Sequence, residues 1–452
     1  MVGQQILRMT TVAITSLGCP RNLVDSEIIL GSLKKSGFKV VDIDKGADVC
    51  IINTCAFVES ARRESVDMIL EAAHLKSEGK IKHMVICGCL PQLYKGELLK
   101  ELPEADALIG PGDIPRIADI VNGLGKGVRR SAVSDSPTYI YDERSPRLVL
   151  TPRHYAYVKI SEGCDNLCSY CIIRRLRGRL RSRPMGSVLK EVKGLSSGGR
   201  LKEVNIIGQD TTAYGMDLYG KRRLSELLKK ICALSNSVRW VRLLYTHPAH
   251  YTDELIKTVR DEEKICKYLD LPVQHISDRI LGRMNRRTTK RDITGLIEKL
   301  RKYIPGLVLR TSIIVGFPGE TDKEFRELLD FVRKTRFERL GAFIYSREEG
   351  TAAARCEGQV GAKIKNERFD ELMKAQQAVS RDVNASFLGK TADVLIDEKA
   401  EGEKAVFLGR TRGDAPEVDG VVHVTGKDIK VGEFCKVRIT DTLEYDLAGE
   451  AI

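Results

Sequence analysis

The stretch Tyr155-Ala156-Tyr157-Val158-Lys159-Ile160-Ser161-Glu162-Gly163-Cys164-Asp165-Asn166-Leu167-Cys168-Ser169-Tyr170-Cys171 decides how the rest of the chain is read. Its first six residues are aromatic and β-branched enough to form a strand, and the glycine-led loop behind them carries three cysteines. Three thiolates separated by three residues and then two can each take one iron of a cubic four-iron cluster, which leaves the fourth iron without a protein ligand. An open iron invites a small molecule that chelates through an amine and a carboxylate. The competing readings are a zinc site, which usually draws four protein ligands where only three stand here, and three unrelated buried cysteines.

This spacing, with Tyr170 just before the last cysteine, resembles the signature of the radical S-adenosylmethionine superfamily. The resemblance implies a [4Fe-4S] cluster on Cys164, Cys168 and Cys171 with S-adenosylmethionine on its open iron. Downstream, strand-like runs recur at Glu203–Ile207, Arg239–Leu244, Tyr268–Leu271, Val308–Val315 and Arg339–Tyr345, separated by helical stretches. With the strand at Tyr155 they make six units, which suggests a partial β/α barrel with its active site at the carboxyl ends of the strands. Two loops at such ends are candidates to hold S-adenosylmethionine: Gly208-Gln209-Asp210-Thr211 and Ile314-Val315-Gly316-Phe317-Pro318-Gly319-Glu320. Gly316 allows a backbone close to a nucleoside and Gln209 offers a hydrogen bond to its polar edge, although each glycine also reads as a tight turn. Tyr170, Gln209 and Gly316 are therefore the candidate cofactor contacts. His247, His250 and His275 lie near strand ends but read as core or supporting residues, since radical chemistry needs no histidine base.

Upstream, apolar runs at Val12–Leu17, Asp48–Ile52 and His83–Cys87 alternate with helical patterns at Ser26–Lys35, Ala56–Ala73 and Pro91–Lys100. This is the rhythm of a doubly wound parallel sheet. Cys19, Cys55 and Cys89 follow the three runs, 36 and 34 residues apart, and loops at the carboxyl ends of such strands converge in space. They form a candidate second metal site with three protein ligands; the alternative is that each is a small buried hydrophobe at a strand end. Cys50 and Cys87 sit inside strands and read as core, and Cys89 is preferred to Cys87 because it follows Gly88 at the loop.

The motifs Leu17-Gly18-Cys19-Pro20-Arg21-Asn22, Asn53-Thr54-Cys55 and Cys87-Gly88-Cys89 are similar to those of the methylthiotransferase family, which carries two four-iron clusters. Arg21 after the cysteine and proline, followed by Asp25-Ser26-Glu27, resembles the branch that acts on a ribosomal protein. After Cys171 come Arg174, Arg175, Arg177, Arg179, Arg181 and Arg183. They read either as a solvated basic face or as guides for an anionic substrate or the carboxylate of S-adenosylmethionine. Relatives usually have proline where this chain has Arg174, which puts the shape of that loop in question; Arg177-Gly178 and Arg181-Ser182-Arg183-Pro184 match the family.

The stretch from Leu124 to Pro152 loses periodicity and collects turn residues, so it reads as a linker, with a flexible turn at Gly123 to Gly127. A helical pattern from Ile364 to Phe387 leads to short apolar runs at Ala392–Ile396, Lys404–Leu408, Val421–Thr425, Glu433–Ile439 and near Glu444, the pattern of a small antiparallel five-stranded barrel. This tail resembles the TRAM domain, and Asp414-Ala415-Pro416-Glu417-Val418-Asp419-Gly420 resembles its form in the ribosomal-protein branch. The expected division is 1–147 for the α/β domain, 148–386 for the radical barrel and 387–452 for the TRAM barrel.

The 452 residues carry a formal charge of +12, and hydrophobic residues make up 42%. From Thr391 onward eight Lys and Arg face fourteen Asp and Glu, a net of −6, so the preceding residues carry +18. Twelve cysteines behind a polar lead-in from Met1 to Thr11, with no long apolar run, point to a reducing cytoplasm and no membrane span. The family resemblance implies that the cluster of Cys164, Cys168 and Cys171 reduces S-adenosylmethionine. The released deoxyadenosyl radical then takes hydrogen from the β-carbon of an aspartate in small-subunit ribosomal protein twelve. The Cys19, Cys55 and Cys89 cluster presents sulfur, and a second S-adenosylmethionine supplies methyl. An electron donor such as flavodoxin or ferredoxin and a contact with the ribosome are the further implied partners. A second reading keeps the chemistry on an adenosine beside the transfer-RNA anticodon, against which the acidic tail argues. A third is a non-catalytic iron–sulfur or zinc module that binds RNA.

Overall fold

Strand-forming runs become two separate parallel sheets and one closed barrel in a computed structural model, which describes residues 9–125, 128–234, 236–402 and 406–452. Residues 1–8 of the lead-in, 126–127 of the flexible turn and 404–405 of the tail's second apolar run lie outside the described residues. The chain divides into two compact units. The first takes the residues up to Leu150 together with 162–165 and 171–183; the second takes 151–161, 166–170 and 184–452.

In the first unit, β1 (Thr11–Ser16), β2 (Lys39–Val40), β3 (Ala47–Thr54), β4 (Ile81–Gly88), β5 (Ala107–Ile109) and β6 (Arg130–Ala132) form one sheet in the order β2-β1-β3-β4-β5-β6. Every pairing is parallel. Successive side chains on a strand face opposite ways. Cys50 and Ile52 of β3 and Met84 and Ile86 of β4 accordingly share a core with Ile69 and Ala72 of helix α2 (Glu59–Ser77). Asn53 turns to the other face, where its amide donates to Asn22 O at 2.9 Å and Ser26 Oγ at 2.8 Å on helix α1 (Pro20–Lys35). A third helix, α3 (Cys89–Tyr94), starts at the end of β4.

The stretch read as a linker holds structure. It contributes β6 to the sheet and then runs along α1, where Leu148 N donates to Glu27 O at 2.9 Å and Arg147 Nε to Glu27 Oε2 at 2.8 Å. Glu27 is fully buried, and a buried carboxylate needs such a cation.

In the second unit, β7 (Tyr155–Lys159), β8 (Glu203–Ile207), β9 (Trp240–Leu243), β10 (Ile265–Asp270), β11 (Val308–Val315) and β12 (Arg339–Ile344) stand in sequence order as a six-stranded parallel partial barrel. Val158, Val204, Ile206, Leu243, Leu269 and Ile313 belong to the large core under the surrounding helices. Alternate residues, among them Tyr157, Glu203, Asn205, Arg242 and Asp270, are buried on the opposite face. Helix Ala362–Ala385 then leads to a closed barrel of β13 (Thr391–Lys399), β14 (Val406–Arg410), β15 (Val422–Thr425), β16 (Phe434–Thr442) and β17 (Leu447–Ala451). Four of its pairings are antiparallel, and β15 with β17 is parallel.

The residues from Arg410 to Asp419 form a floor beneath the amino-terminal ends of β7 to β12. Arg410 Nη1 donates to Glu203 Oε2 at 2.8 Å and its Nε to Asp397 Oδ2 at 2.7 Å. Arg242 meets Glu203 Oε1 at 2.7 Å and the carbonyl of Arg412 at 2.8 Å. Tyr155 donates to Glu417 at 2.9 Å, Tyr268 to Asp419 at 2.7 Å, and Arg339 to Asp414 at 2.6 Å. The tail's formal −6 thus overstates what it shows a partner, because Asp414 and Asp419 are neutralised within the fold by Arg339 and Arg310, which lie upstream of the tail.

Removing one member of a buried ion pair strands the other, at about 3–5 kcal/mol. Arg410→Met is therefore expected to lower unfolding stability by about 3 kcal/mol, because Glu203 keeps Arg242. Urea titration followed by circular dichroism checks this, and an unchanged midpoint would mean that the floor is held by other contacts.

Candidate functional site

Cys19, Cys55 and Cys89 stand at the carboxyl ends of β1, β3 and β4 in the first unit. Gly18 has φ +85°, and a Cβ there would lie 2.5 Å from Cys55 Cβ and 2.9 Å from its Sγ, so only glycine lets the Cys19 loop approach Cys55 this closely. Cys19 caps the start of α1, with Pro20 in the first turn, where the missing N–H costs nothing. Asn22 ties the strand ends together: its amide donates to Leu17 O at 2.7 Å, Asn53 O at 3.1 Å and Thr54 O at 3.3 Å. Ser65 holds the Cys55 backbone, accepting from its N–H at 3.1 Å and donating to its carbonyl at 2.8 Å.

The three thiols interact electrostatically but differ in surroundings. Burial pushes the Cys55 thiol up to about 12, and charge on Cys89 and Cys19 adds to the rise. Burial also raises Cys89, against the pull of Arg177. At Cys19 the effect of burial is outweighed by Arg21, whose Nε lies 3.4 Å from Sγ, so this thiol falls below its ordinary range. Cys87 is paired in register with Asn53, fully buried within β4 and raised by burial. Cys89 follows the end of β4 and opens α3, and its Sγ accepts from Arg177 Nη2 at 3.4 Å.

Among the described residues no group of three or more His, Cys, Asp or Glu side chains is drawn together tightly enough to hold a single metal ion. Thiols that each bind a different iron of a cubane stand farther apart than ligands sharing one ion, and a three-sulfur donor set suits iron–sulfur chemistry. The Cys19, Cys55 and Cys89 set fits such a group.

In the second triplet, Cys164 and Cys171 belong to the first unit and Cys168 to the second. All three are partly exposed. Cys164 N donates to Gly178 O at 3.3 Å, and Ile173 N to Cys171 Sγ at 3.5 Å. Arg286, almost fully buried, donates to Cys168 Sγ at 3.6 Å and to Pro272 O at 2.6 Å. Ser169 N bonds Met284 O at 3.0 Å, and Tyr170 packs on Ile280, Met284, Ile314, Phe317 and Tyr345. Gln209 is half-buried behind β8. The Gly316 N–H donates to Glu320 Oε2 at 3.0 Å, and the Lys365 side chain occupies the space where a Cβ on Gly316 would stand.

Asp210, in the loop after β8, carries no sequence signal of its own beyond that loop. Asp210 accepts from Asn166 of the cysteine loop at 2.8 Å and from His250 Nδ1 at 2.7 Å, so it anchors that loop to the end of β8. Burial acts to raise its pKa, but His250 holds the carboxyl well below the usual range. His247 is pushed down to about 2 by burial, with Arg286 adding to the shift, and stacks on His250 at 4.8 Å. His275 accepts from Ser277 N at 3.0 Å and supports the chain there. No local pattern marks Arg286; its role comes from the turn that brings it to Cys168.

The arginine run divides. Arg174 and Arg179 reach Asp165 at 3.1 and 3.6 Å, Arg181 bonds the carbonyls of Arg179 and Arg177, and Arg183 lies 4.2 Å over the Tyr141 ring. Arg177 is buried with Asp25. Neither Arg177 nor Arg183 forms part of a solvated face.

Residues 11–110 match the model described as Uncharacterized protein family UPF0004, 158–332 that of the Radical SAM superfamily, and 388–452 that of the TRAM domain. The chain is 48% identical over 444 residues to Ribosomal protein uS12 methylthiotransferase RimO of Geotalea uraniireducens, covering 98% of both chains. It is 47% identical over 443 residues to the protein of the same name from Desulforamulus reducens, covering 98% of this chain and 99% of that one. Among solved structures it is similar to the radical S-adenosylmethionine methyltransferase TsrM from Kitasatospora setae, with a TM-score of 0.54 at 16% identity over 74% of this chain and 72% of that one. At that identity the likeness concerns the fold.

Gly18→Ala is expected to cost about 1–2 kcal/mol for the left-handed backbone alone, and to push Cys55 away from the Cys19 loop. Iron analysis after anaerobic reconstitution should then find roughly half the iron of the parent protein. Full iron content would show that the approach of Gly18 to Cys55 is not required for metal binding.

Proposed function

The chain belongs to the ribosomal protein uS12 methylthiotransferase family, and on that footing we propose that it places a methylthio group on the β-carbon of an aspartate in ribosomal protein uS12. The observation that carries this reading is the collinear match to those enzymes over nearly the whole chain. The division into 1–147, 148–386 and 387–452 is supported by the three family models, which fall one inside each part.

The reading assigns one [4Fe-4S] cluster to Cys164, Cys168 and Cys171 with S-adenosylmethionine beside it, and a second to Cys19, Cys55 and Cys89. When bound, these groups supply reductive radical formation, hydrogen abstraction from an unactivated carbon, and sulfur and methyl delivery, which acid–base side chains do not provide. The protein's own residues hold the donors in place. Asn22, Asn53 and Ser65 fix the strand ends that bear Cys19, Cys55 and Cys89. Asp210 and Asn166 steady the loop of the other triplet, and Arg286 offers a charge-assisted hydrogen bond to Cys168. Tyr170 packs at the foot of that loop, and we take Tyr170, Gln209 and Gly316 as its S-adenosylmethionine contacts.

The transfer-RNA alternative draws on the upstream +18, but the full-length relatives are named for uS12. An electron donor of the flavodoxin or ferredoxin kind, contact with the ribosome and a cytoplasmic setting complete the reading. Among the described residues no helix is long and apolar enough to cross a membrane.

Incubation of the reduced, reconstituted enzyme with uS12 and S-adenosylmethionine is expected to replace one aspartate hydrogen by methylthio, seen by peptide mass spectrometry. Alanine at Cys164, Cys168 or Cys171 should abolish deoxyadenosine formation. Alanine at Cys19, Cys55 or Cys89 should spare it and stop thiolation. Unmodified uS12 alongside a methylthiolated transfer-RNA nucleoside would overturn the assignment.

A further inference from the structure

Arg177 ends helix α4 (Ile173–Arg177), which begins two residues after Cys171. Its guanidinium is 3% exposed and is shared among several partners within the first unit. Nη1 pairs with Asp25 and lies 3.5 Å from Glu162 Oε2. Nη2 donates to Asn22 Oδ1 at 3.1 Å and to Cys89 Sγ at 3.4 Å. Its positive charge is felt at Cys19, Cys55 and Cys89 alike. One side chain therefore joins the helix that starts at Cys19, the sulfur of Cys89 and the segment that carries Cys171.

Arginine suits this position because its planar fork holds several donors in fixed directions, whereas lysine offers a point charge. Two carboxylates, Asp25 and Glu162, flank the guanidinium and offset part of its charge, while its hydrogen bond to sulfur remains. Hydrogen bonds to ligating sulfur, together with local charge, are what set an iron–sulfur reduction potential. A donor to thiolate sulfur withdraws electron density and favours the reduced cluster.

We propose that Arg177 is a positioning residue for the cluster on Cys19, Cys55 and Cys89: it raises that cluster's reduction potential through Cys89 Sγ and locks the segment after Cys171 to it. This rests on the assignment of that cluster made above. Asp25 sets the strength of the effect by restraining the guanidinium's charge. Two substitutions should then move the potential in opposite directions. Arg177→Gln removes the charge and, with its shorter side chain, draws the donor away from Cys89 Sγ, which shifts it negative; Asp25→Asn leaves the guanidinium less compensated and shifts it positive.

The test is an EPR-monitored redox titration of the full-length reconstituted enzyme, with the signal of the cluster on Cys19, Cys55 and Cys89 identified from the Cys164/Cys168/Cys171→Ala protein. For Arg177→Gln the expected change is about tenfold in the reduction equilibrium, or about 59 mV for one electron. Arg177→Lys should fall between parent and Gln variant. Asp25→Asn, nearly isosteric, supplies the measurement if the Arg177 variants fold poorly. Shifts of opposite sign support the proposal; no shift, or shifts of the same sign, overturn it. A parent enzyme with no EPR signal left after Cys164/Cys168/Cys171→Ala would instead remove the cluster assignment itself.

Discussion

A charge buried in a protein must meet a counter-charge or be expelled, and this chain builds its long-range contacts on that constraint. Glu203 and Arg242 are both fully buried inside the barrel, and neither is tolerable alone. Arg410 reaches Glu203 from 207 residues away, while its other arm holds Asp397, which in turn accepts from His154. The same logic places Arg147 on buried Glu27 and Arg368 on Glu320. In each case strands and helices bring the partners near, and the ion pair fixes which residue ends up opposite which.

The candidate cluster-binding sulfurs sit at the edges of this framework. Cys19, Cys55 and Cys89 occupy the ends of three adjacent parallel strands, where the sheet stops supplying backbone partners and loops must close the gap. Side-chain amides take over that task. Asn22 satisfies carbonyls from two strands at once, and a hydrophobic residue of the same size would leave three acceptors without it. The rigidity of the thiol positions thus comes from polar residues that perform no chemistry themselves.

Much of the architecture was legible because long strands have a period to read. The three cysteine-terminated strands and the six barrel strands all announce themselves as apolar runs of useful length. β2, β5 and β6 have two or three residues each, too few to show alternation, and β6 hid in a stretch rich in turn residues. The parallel pairing of β15 with β17 depends on how the small barrel closes, which no local pattern encodes. The candidate site divides in the same way. Cysteines at metal spacing are visible along the chain, but Arg177 and Asp25 are 152 residues apart and Arg286 and Cys168 are 118 apart. The run of six arginines shows the limit of reading charge in a line: one helical turn separates Arg174, facing outward, from Arg177, sealed inside. Arg174 lies in the first turn of α4 and reaches Asp165 at 3.1 Å.

The floor under the barrel bears on how such proteins can diversify. Grafting a foreign tail onto this barrel would withdraw Arg410, Asp414, Glu417 and Asp419 together and leave Glu203, Arg310, Arg339 and Tyr268 facing unmatched groups. The two barrels are consequently coupled physically, and neither is a module that can be exchanged without the other. Lys436 and Arg438 of β16 stand outside this network, so a change there leaves the ion pairs of the Asp414-to-Asp419 segment intact.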